Sequence, residues 1–193
     1  GKCLGREMLI RVNDAPLTAE TLWDTYAGET SFDGEGFWAR PRAALHVQAR
    51  QEADGRLVTA AVQRLYRQHV TEPLRRVILA NGCHATITHR HHLLTQRGWT
   101  NDLQVGEAVC VAPASIGEMQ QATIFSPIIA IERVAYTGWV YDLEIAGRHN
   151  FVANGVVCHN TIQTIGMVLH GREQNRQPDP VLLICPTSVV GNW

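Results

Sequence analysis

The chain has 193 residues, with 17 basic and 18 acidic side chains and a net charge of −1. That balance offers no basic face for nucleic acid or an anionic membrane, while 45% hydrophobic and 18% charged residues suffice for a packed core and exclude disorder by composition. No apolar run approaches the roughly 18 residues of a membrane span, and the opening GKCLGREMLIRV has no signal-peptide core, so a cytoplasmic monomer without a membrane partner is expected. In chain order, alternating or apolar runs predict strands at MLIRV (8–12), AALHVQA (43–49), RLVTAAVQRLY (56–66), RRVIL (75–79) and HATIT (84–88). Further strands follow at IIAIERV (128–134), VYDLEI (140–145), NFVA (150–153) and VVCHN (156–160). Asn13-Asp14, Asp54-Gly55, Asn81-Gly82, Gly98-Trp99 and Asn154-Gly155 punctuate these runs as turns. LTAETLWDTYAG predicts one short helix with Thr18 as its N-cap, and the Gly-rich, polar stretch 28–41 predicts a loop. Many short strands with tight turns define an all-β domain.

The character changes after Asn160. Ile162, Ile165, Val168 and Leu169 recur at helical spacing, Pro178 and Pro180 break the chain, and VLLIC (181–185) is a continuous apolar run. Helix followed by buried strand is an α/β pattern. The main boundary therefore falls at about residue 160, and the segment beyond it, with no sheet of its own to pack on, is expected to make sparse contacts.

Three places carry chemistry. In NFVANGVVCHN the Asn154-Gly155 pair predicts a type I′ hairpin, which sets Ala153 opposite Val156, Asn150 opposite His159, and His149 opposite Asn160. An asparagine with one imidazole beside it and another across the strand is suited to attack on its own carbonyl carbon by its side-chain amide. The histidines supply the base and the proton donor. HATITHRHHLLT is a strand entering a turn, with Thr88 and His91 spaced T-x-x-H. His84, His89, His91 and His92 with Cys83 match no familiar zinc spacing, so no metal is expected. Cys3 is a nucleophile once ionised and its sulfur can attack the Lys2 carbonyl where the peptide is held and its oxyanion stabilised. The other cysteines, Cys83, Cys110, Cys158 and Cys185, are odd in sum with Cys3 and scattered, which excludes a secreted disulfide framework.

Taken together, these residues resemble an intein of the Hint superfamily over 3–160. Cys3-Leu4-Gly5 is similar to the family's opening block, and ITHRHHLLTQRGWTNDLQVGE is similar to its T-x-x-H block. VYDLEIAGRHNFVANGVVCHN resembles its two closing blocks, with Thr161 in the position of the next nucleophile. The resemblance implies a β-horseshoe with pseudo-two-fold symmetry and both junctions at its centre. It implies four steps: an acyl shift from nitrogen to sulfur at Cys3, aided by Thr88 and His91; attack by the Thr161 hydroxyl; cyclisation of Asn160, aided by His149 and His159; and a final shift that leaves Lys2 joined to Thr161 by an amide. Asp142 matches the family acid that couples the first two steps. Positions 92–139 are too few for a homing endonuclease, so a mini-intein is implied, acting on itself in cis and without cofactor.

The flanks carry a second resemblance. Gly1-Lys2 joined to Thr161 makes the end of a P-loop, GK[ST], and the segment through ICPTSVVGNW is similar to the start of a Swi/Snf-type DNA-dependent ATPase, a helicase-like motor. Residues 1–2 and 161–193 are then flanking host sequence, and Gly1, Lys2 and Thr161 would hold ATP and Mg²⁺ in a DNA-binding host only after residues 3–160 leave. Three other readings exist: a motor fragment interrupted by a degenerate, non-splicing β-domain, a non-catalytic β-domain alone, and a Hint domain that only cleaves. Residues 158 and 160 share a strand face, so Cys158 can approach Cys3, and a disulfide there would block the nucleophile.

Overall fold

Two-residue hairpin turns of type I′ need both central residues at positive φ. Asn13 and Asp14, at 48° and 66°, and Asn154 and Gly155, at 48° and 74°, provide them where the sequence places turns. The computed structural model describes residues 2–114 and 122–160; the helix and strand expected beyond residue 160 lie outside them. The first strands are β1 (Leu9–Val12), β2 (Ala15–Thr18), β3 (Ala27–Phe32), β4 (Phe37–Pro41) and β5 (His46–Arg50), with helix α1 (Ala19–Tyr26) between β2 and β3. Next come β6 (Leu57–Val70), β7 (Leu74–Leu79), β8 (His84–Ile87), β9 (Leu93–Thr95), β10 (Gly98–Thr100) and β11 (Ala108–Val111). The last are β12 (Ile124–Val134), β13 (Gly138–Ile145), β14 (Asn150–Ala153) and β15 (Val156–His159). Among the described residues no helix is long and apolar enough to cross a membrane.

Thr18 caps α1 as expected, its hydroxyl accepting the Thr21 amide at 3.1 Å. The stretch 28–41, expected to be a loop, is instead the β3–β4 hairpin. Its turn is built by the Asp33 carboxylate, which accepts the amides of Glu35 and Gly36 and, at 2.8 Å, the indole N–H of Trp38. Phe32 and Phe37 pair across it with ring centroids 5.1 Å apart, so side chains supply the strand signal that the Gly-rich sequence hides. Gly98-Trp99, expected to be a turn, begins β10, whose Trp99 lies opposite Leu94 of β9.

Two long strands organise the sheet. β6 pairs with β5 through Leu57–Ala61, then with β13 beyond it. β12 pairs with β11 through Ile124–Pro127, then with β7 beyond it. Each bends where its register shifts, at Ile145 opposite Val62 and between Ile128 and Ala130, as a bulge bends a strand. The two equivalent bent strands give the doubled arrangement expected of a horseshoe, and the sheet path from β3 to β8 stays open. Apolar side chains fill the inside of the bend, with Leu4, Met8, Ile87, Leu65, Leu143 and Phe151 all fully buried or nearly so.

Candidate functional site

Leu4 is threaded between two strands. Its N–H donates to the Tyr141 carbonyl at 2.7 Å and its carbonyl accepts the Tyr141 N–H at 2.9 Å, while Gly5 N–H reaches Thr86 at 2.8 Å. The chain start is thus locked between β8 and β13, which fixes the peptide just before it. Thr88, one residue past β8, grips Cys3 three ways. The Thr88 N–H donates to the Cys3 carbonyl at 2.9 Å. The Thr88 hydroxyl accepts the Cys3 N–H at 2.9 Å and donates to the Cys3 carbonyl at 3.3 Å. The Cys3 N–H belongs to the Lys2–Cys3 peptide, so the hydroxyl sits on the bond that a thiol attack would break.

His91 is held one turn on, its N–H donating to Thr88 at 3.1 Å. Its ring is fully buried, and burial first, then the neighbouring His159, His92 and Arg75, push its pKa down to about 3, so the imidazole is neutral. The Lys2 backbone acts in the opposite sense, favouring the protonated ring; neither ring nitrogen meets a partner at full hydrogen-bond geometry. Asp142 is also fully buried. One carboxyl oxygen accepts the Leu143 N–H at 2.8 Å and the other has no partner. Burial pushes its pKa well above the usual carboxylate range, opposed by the Leu143 amide and the Lys2 ammonium. The Cys3 thiol is pushed up as well, by burial first and then by the Asp142 charge. Burial thus disfavours the charged form of both groups.

The other end of the site is the β14–β15 hairpin, in the register expected from its turn: Ala153 opposite Val156 and Asn150 opposite His159. The ladder runs one bond further, with Asn160 N–H donating to the His149 carbonyl at 2.7 Å. Asn160 is fully buried. The His149 side chain is exposed, so the contact with Asn160 that the structure gives runs through its backbone. Burial, then His92, His149 and Lys2, lower the His159 pKa to about 4. Cys158 is a buried free thiol, as is Cys3, and the Asp142 charge acts on both.

The structure therefore gathers Cys3, Thr88, His91 and Asp142 around one peptide, and Asn160 with His159 at a strand end within electrostatic reach of His91. Gly1 and Thr161 lie outside the described residues. Two residues that motif reasoning left without a role belong to the site, His92 and Trp99, whose rings flank His159. The available signal was the adjacency of His92 to His91. Their meeting with His159 depends on a pairing of β9 with β15 that no local pattern announces.

Known proteins match much of this chain. The intein splicing domain model matches residues 41–160, so the Cys3 segment precedes the matched span. A DNA polymerase of Thermococcus aggregans is 26% identical over 107 residues, which is 55% of this chain and 6% of that protein. A putative ATP-dependent helicase/translocase, YwqA, of Bacillus subtilis (strain 168) is 42% identical over 55 residues, 28% of this chain and 6% of that protein. The chain thus spans a small fraction of the curated relatives it matches. Among solved structures, the PabCDC21-1 intein superimposes with a TM-score of 0.72 at 17% identity, covering 83% of this chain and 99% of that one.

Proposed function

The chain belongs to the family of intein splicing domains, whose activity is autocatalytic protein splicing, and from that we propose that residues 3–160 excise themselves and join Lys2 to Thr161. In the first step the Cys3 sulfur attacks the Lys2 carbonyl carbon, the C–N bond to Cys3 breaks, and the thiol proton ends on the Cys3 amine. The grip of the Thr88 hydroxyl on the Cys3 N–H and carbonyl carries this reading, since a leaving nitrogen needs a polar partner already in place. A neutral His91 beside the Lys2 backbone polarises the carbonyl, and Asp142 takes or returns the thiol proton.

The Thr161 hydroxyl then attacks the thioester, releasing the Cys3 thiol and giving a branched ester. The Asn160 side-chain nitrogen next attacks the Asn160 carbonyl carbon. The bond to Thr161 breaks and the amide proton passes through His159 to the departing amine. That amine displaces the Thr161 oxygen from the ester, and an ordinary peptide bond results. No cofactor or metal enters any step.

The flanks extend the proposal to the host. The ligated Gly-Lys-Thr completes the end of a P-loop, and the 55-residue likeness to the B. subtilis helicase/translocase supports a DNA-translocating ATPase as the protein interrupted. ATP and Mg²⁺ binding would return only with ligation. The test is expression of the chain between two affinity tags, with intact-mass measurement of all products. A free fragment of residues 3–160 ending in a succinimide, together with a tagged product in which Gly1-Lys2 is joined to residues 161–193, is expected. A precursor that stays whole in reducing buffer would overturn the assignment.

A further inference from the structure

The imidazole that packs on His159 is not the one across the hairpin. His149 reaches Asn160 by its carbonyl, and its side chain is exposed. The ring against His159 belongs to His92, with centroids 5.9 Å apart and planes at 52°. Backbone bonds fix that approach. The His92 carbonyl accepts the His159 N–H at 3.2 Å, and Cys158 pairs with Leu93 between β15 and β9. Trp99 closes the other side, edge-on to His159 at 4.7 Å and 77°, itself placed by the pairing of β10 with β9. One ring nitrogen of His92, Nδ1, is buried without a hydrogen-bond partner. His159 therefore sits in a box with an indole on one side and an imidazole on the other.

Such a box constrains chemistry. Two imidazoles this close in a half-buried place do not both take a proton readily, because each charge opposes the other. The remaining charged groups acting on the pair have the same sign. His159 feels Lys2 and His149, and His92 feels Lys2 and Arg75, with the Arg90 backbone alone favouring charge on His92. An unprotonated ring is what the cleavage at Asn160 needs, since the Asn160 amide must lose a proton as its nitrogen attacks the carbonyl carbon. The same proton then goes to the amine that leaves, so the base returns to its starting state.

Building on the splicing reading above, we propose that His92 is a positioning residue of the cleavage at Asn160, holding the His159 ring in place and keeping it in its base form. His92 touches no reacting atom. It links the two junctions through the chain, because His91 serves the Lys2–Cys3 peptide and the next residue serves the Asn160 carbonyl.

Two measurements test this. In a Cys3→Ala precursor tagged after Trp193, cleavage at Asn160 is followed against pH. His92→Gln keeps a polar side chain but removes the second titrating ring. The acid limb of the profile is expected to move to higher pH by about half a unit, so that on that limb cleavage at Asn160 slows about threefold, while thiol-induced cleavage at Cys3, followed in a separate Asn160→Ala precursor carrying the same His92→Gln change, keeps its rate. Independently, carbon-13 ring signals of His159 in the uncleavable Cys3→Ala/Asn160→Ala chain should titrate at higher pH once His92 is Gln. A His159 titration that superimposes on the parent overturns the proposal and leaves the splicing reading standing. Equal slowing of both cleavages with no movement of the limb also overturns it, as the role would be structural. A parent that never cleaves at Asn160 sinks the splicing reading instead, while the titration still judges His92.

Discussion

The two reactive ends are held by different means. Cys3 lies in a strand-like segment clasped on both sides by backbone bonds, to Tyr141 and to Thr86 and Thr88, with a thiol and a buried carboxyl whose charged forms burial disfavours. Asn160 ends a hairpin, its N–H donating to the His149 carbonyl, beside a His159 ring that meets Trp99 edge-on and His92 at a tilt. The amino end is clasped between two strands with its thiol and carboxyl pushed toward their protonated forms; the carboxyl end closes a hairpin beside an imidazole pushed toward its base form. The contrast suggests why such a reaction runs in order. On the proposed mechanism, burial disfavours thiolate at the first bond, and cleavage at the second depends on geometry delivered by a strand end.

Breaking the comparison at its poles gives the largest effects. Cys3→Ala should abolish ligation and thiol-sensitive cleavage yet leave cleavage at Asn160. Asn160→Ala should abolish ligation and cleavage at residue 160 yet leave thiol-sensitive cleavage at Cys3, and the double variant should leave the precursor whole, all read by intact mass. If Cys3→Ala also stops cleavage at Asn160, the two ends are a single machine and the contrast drawn above fails.

Thr88→Val sharpens the contrast by removing only a hydroxyl. The Cys3 N–H and carbonyl each lose a partner, and thiol-induced cleavage in the Asn160→Ala background should slow by about a hundredfold. Cleavage at Asn160, followed in the Cys3→Ala background, should change by a few-fold at most. Time courses of both fragments in one gel series decide it.

The carboxyl end was the more legible in sequence, and the reason is locality. Asn154-Gly155 sets a turn type, the turn sets a register, and the register set Asn150 against His159 and Asn160 against His149. Only His149's exposed ring escaped that logic, since register fixes backbones and not exposure. The amino end was legible as residue types alone. T-x-x-H named Thr88 and His91, but Leu4 bridges Ile87 of β8 and Tyr141 of β13, each more than eighty residues from it in sequence. The β3–β4 hairpin stayed hidden because Asp33 and an aromatic pair, not turn glycines, build it. The union of His92 with His159 stayed hidden for the same reason as Leu4.

Protonation separates the ends in stability too. His91 and His159 have folded pKa values of about 3 and about 4, below the value near 6.5 of an unfolded chain. Between those limits the unfolded state binds more protons, so this stability is full above pH 6.5 and is lost as the pH falls. By about pH 5 the loss is on the order of 2 kcal/mol for each histidine. Asp142 works oppositely: its raised pKa means the folded state holds the extra proton, so it costs stability as pH rises. Urea midpoints of the Cys3→Ala/Asn160→Ala chain should fall between about pH 7.5 and 5, and fall more steeply when Asp142→Asn removes the opposing group. A flat profile in the latter chain would show that the imidazoles are not neutral by burial.

The smallest effect concerns the residue that ties the ends together. Asn154 sits at φ 48° in the hairpin turn. Its side-chain oxygen accepts the Leu9 N–H at 2.7 Å, its side-chain N–H donates to the His84 carbonyl at 3.1 Å, and its own N–H reaches the Leu9 carbonyl at 2.7 Å. The turn that positions Asn160 is therefore bolted to the first residue of β1, which follows Cys3, and to the first residue of β8, which leads to Thr88. Asn154→Ala loses two side-chain bonds and strains a left-handed backbone, at a cost of about 2–3 kcal/mol. Asn154→Gly loses the same bonds without the strain and should cost about 1–2 kcal/mol, both read as urea midpoints. Because the bolt serves both ends, cleavage at Cys3 and at Asn160 should slow by the same factor in each variant, unlike any substitution above. Slowing at Asn160 alone would mean the turn merely sets the hairpin's register, and that the two junctions meet through the Thr88–Leu93 segment alone.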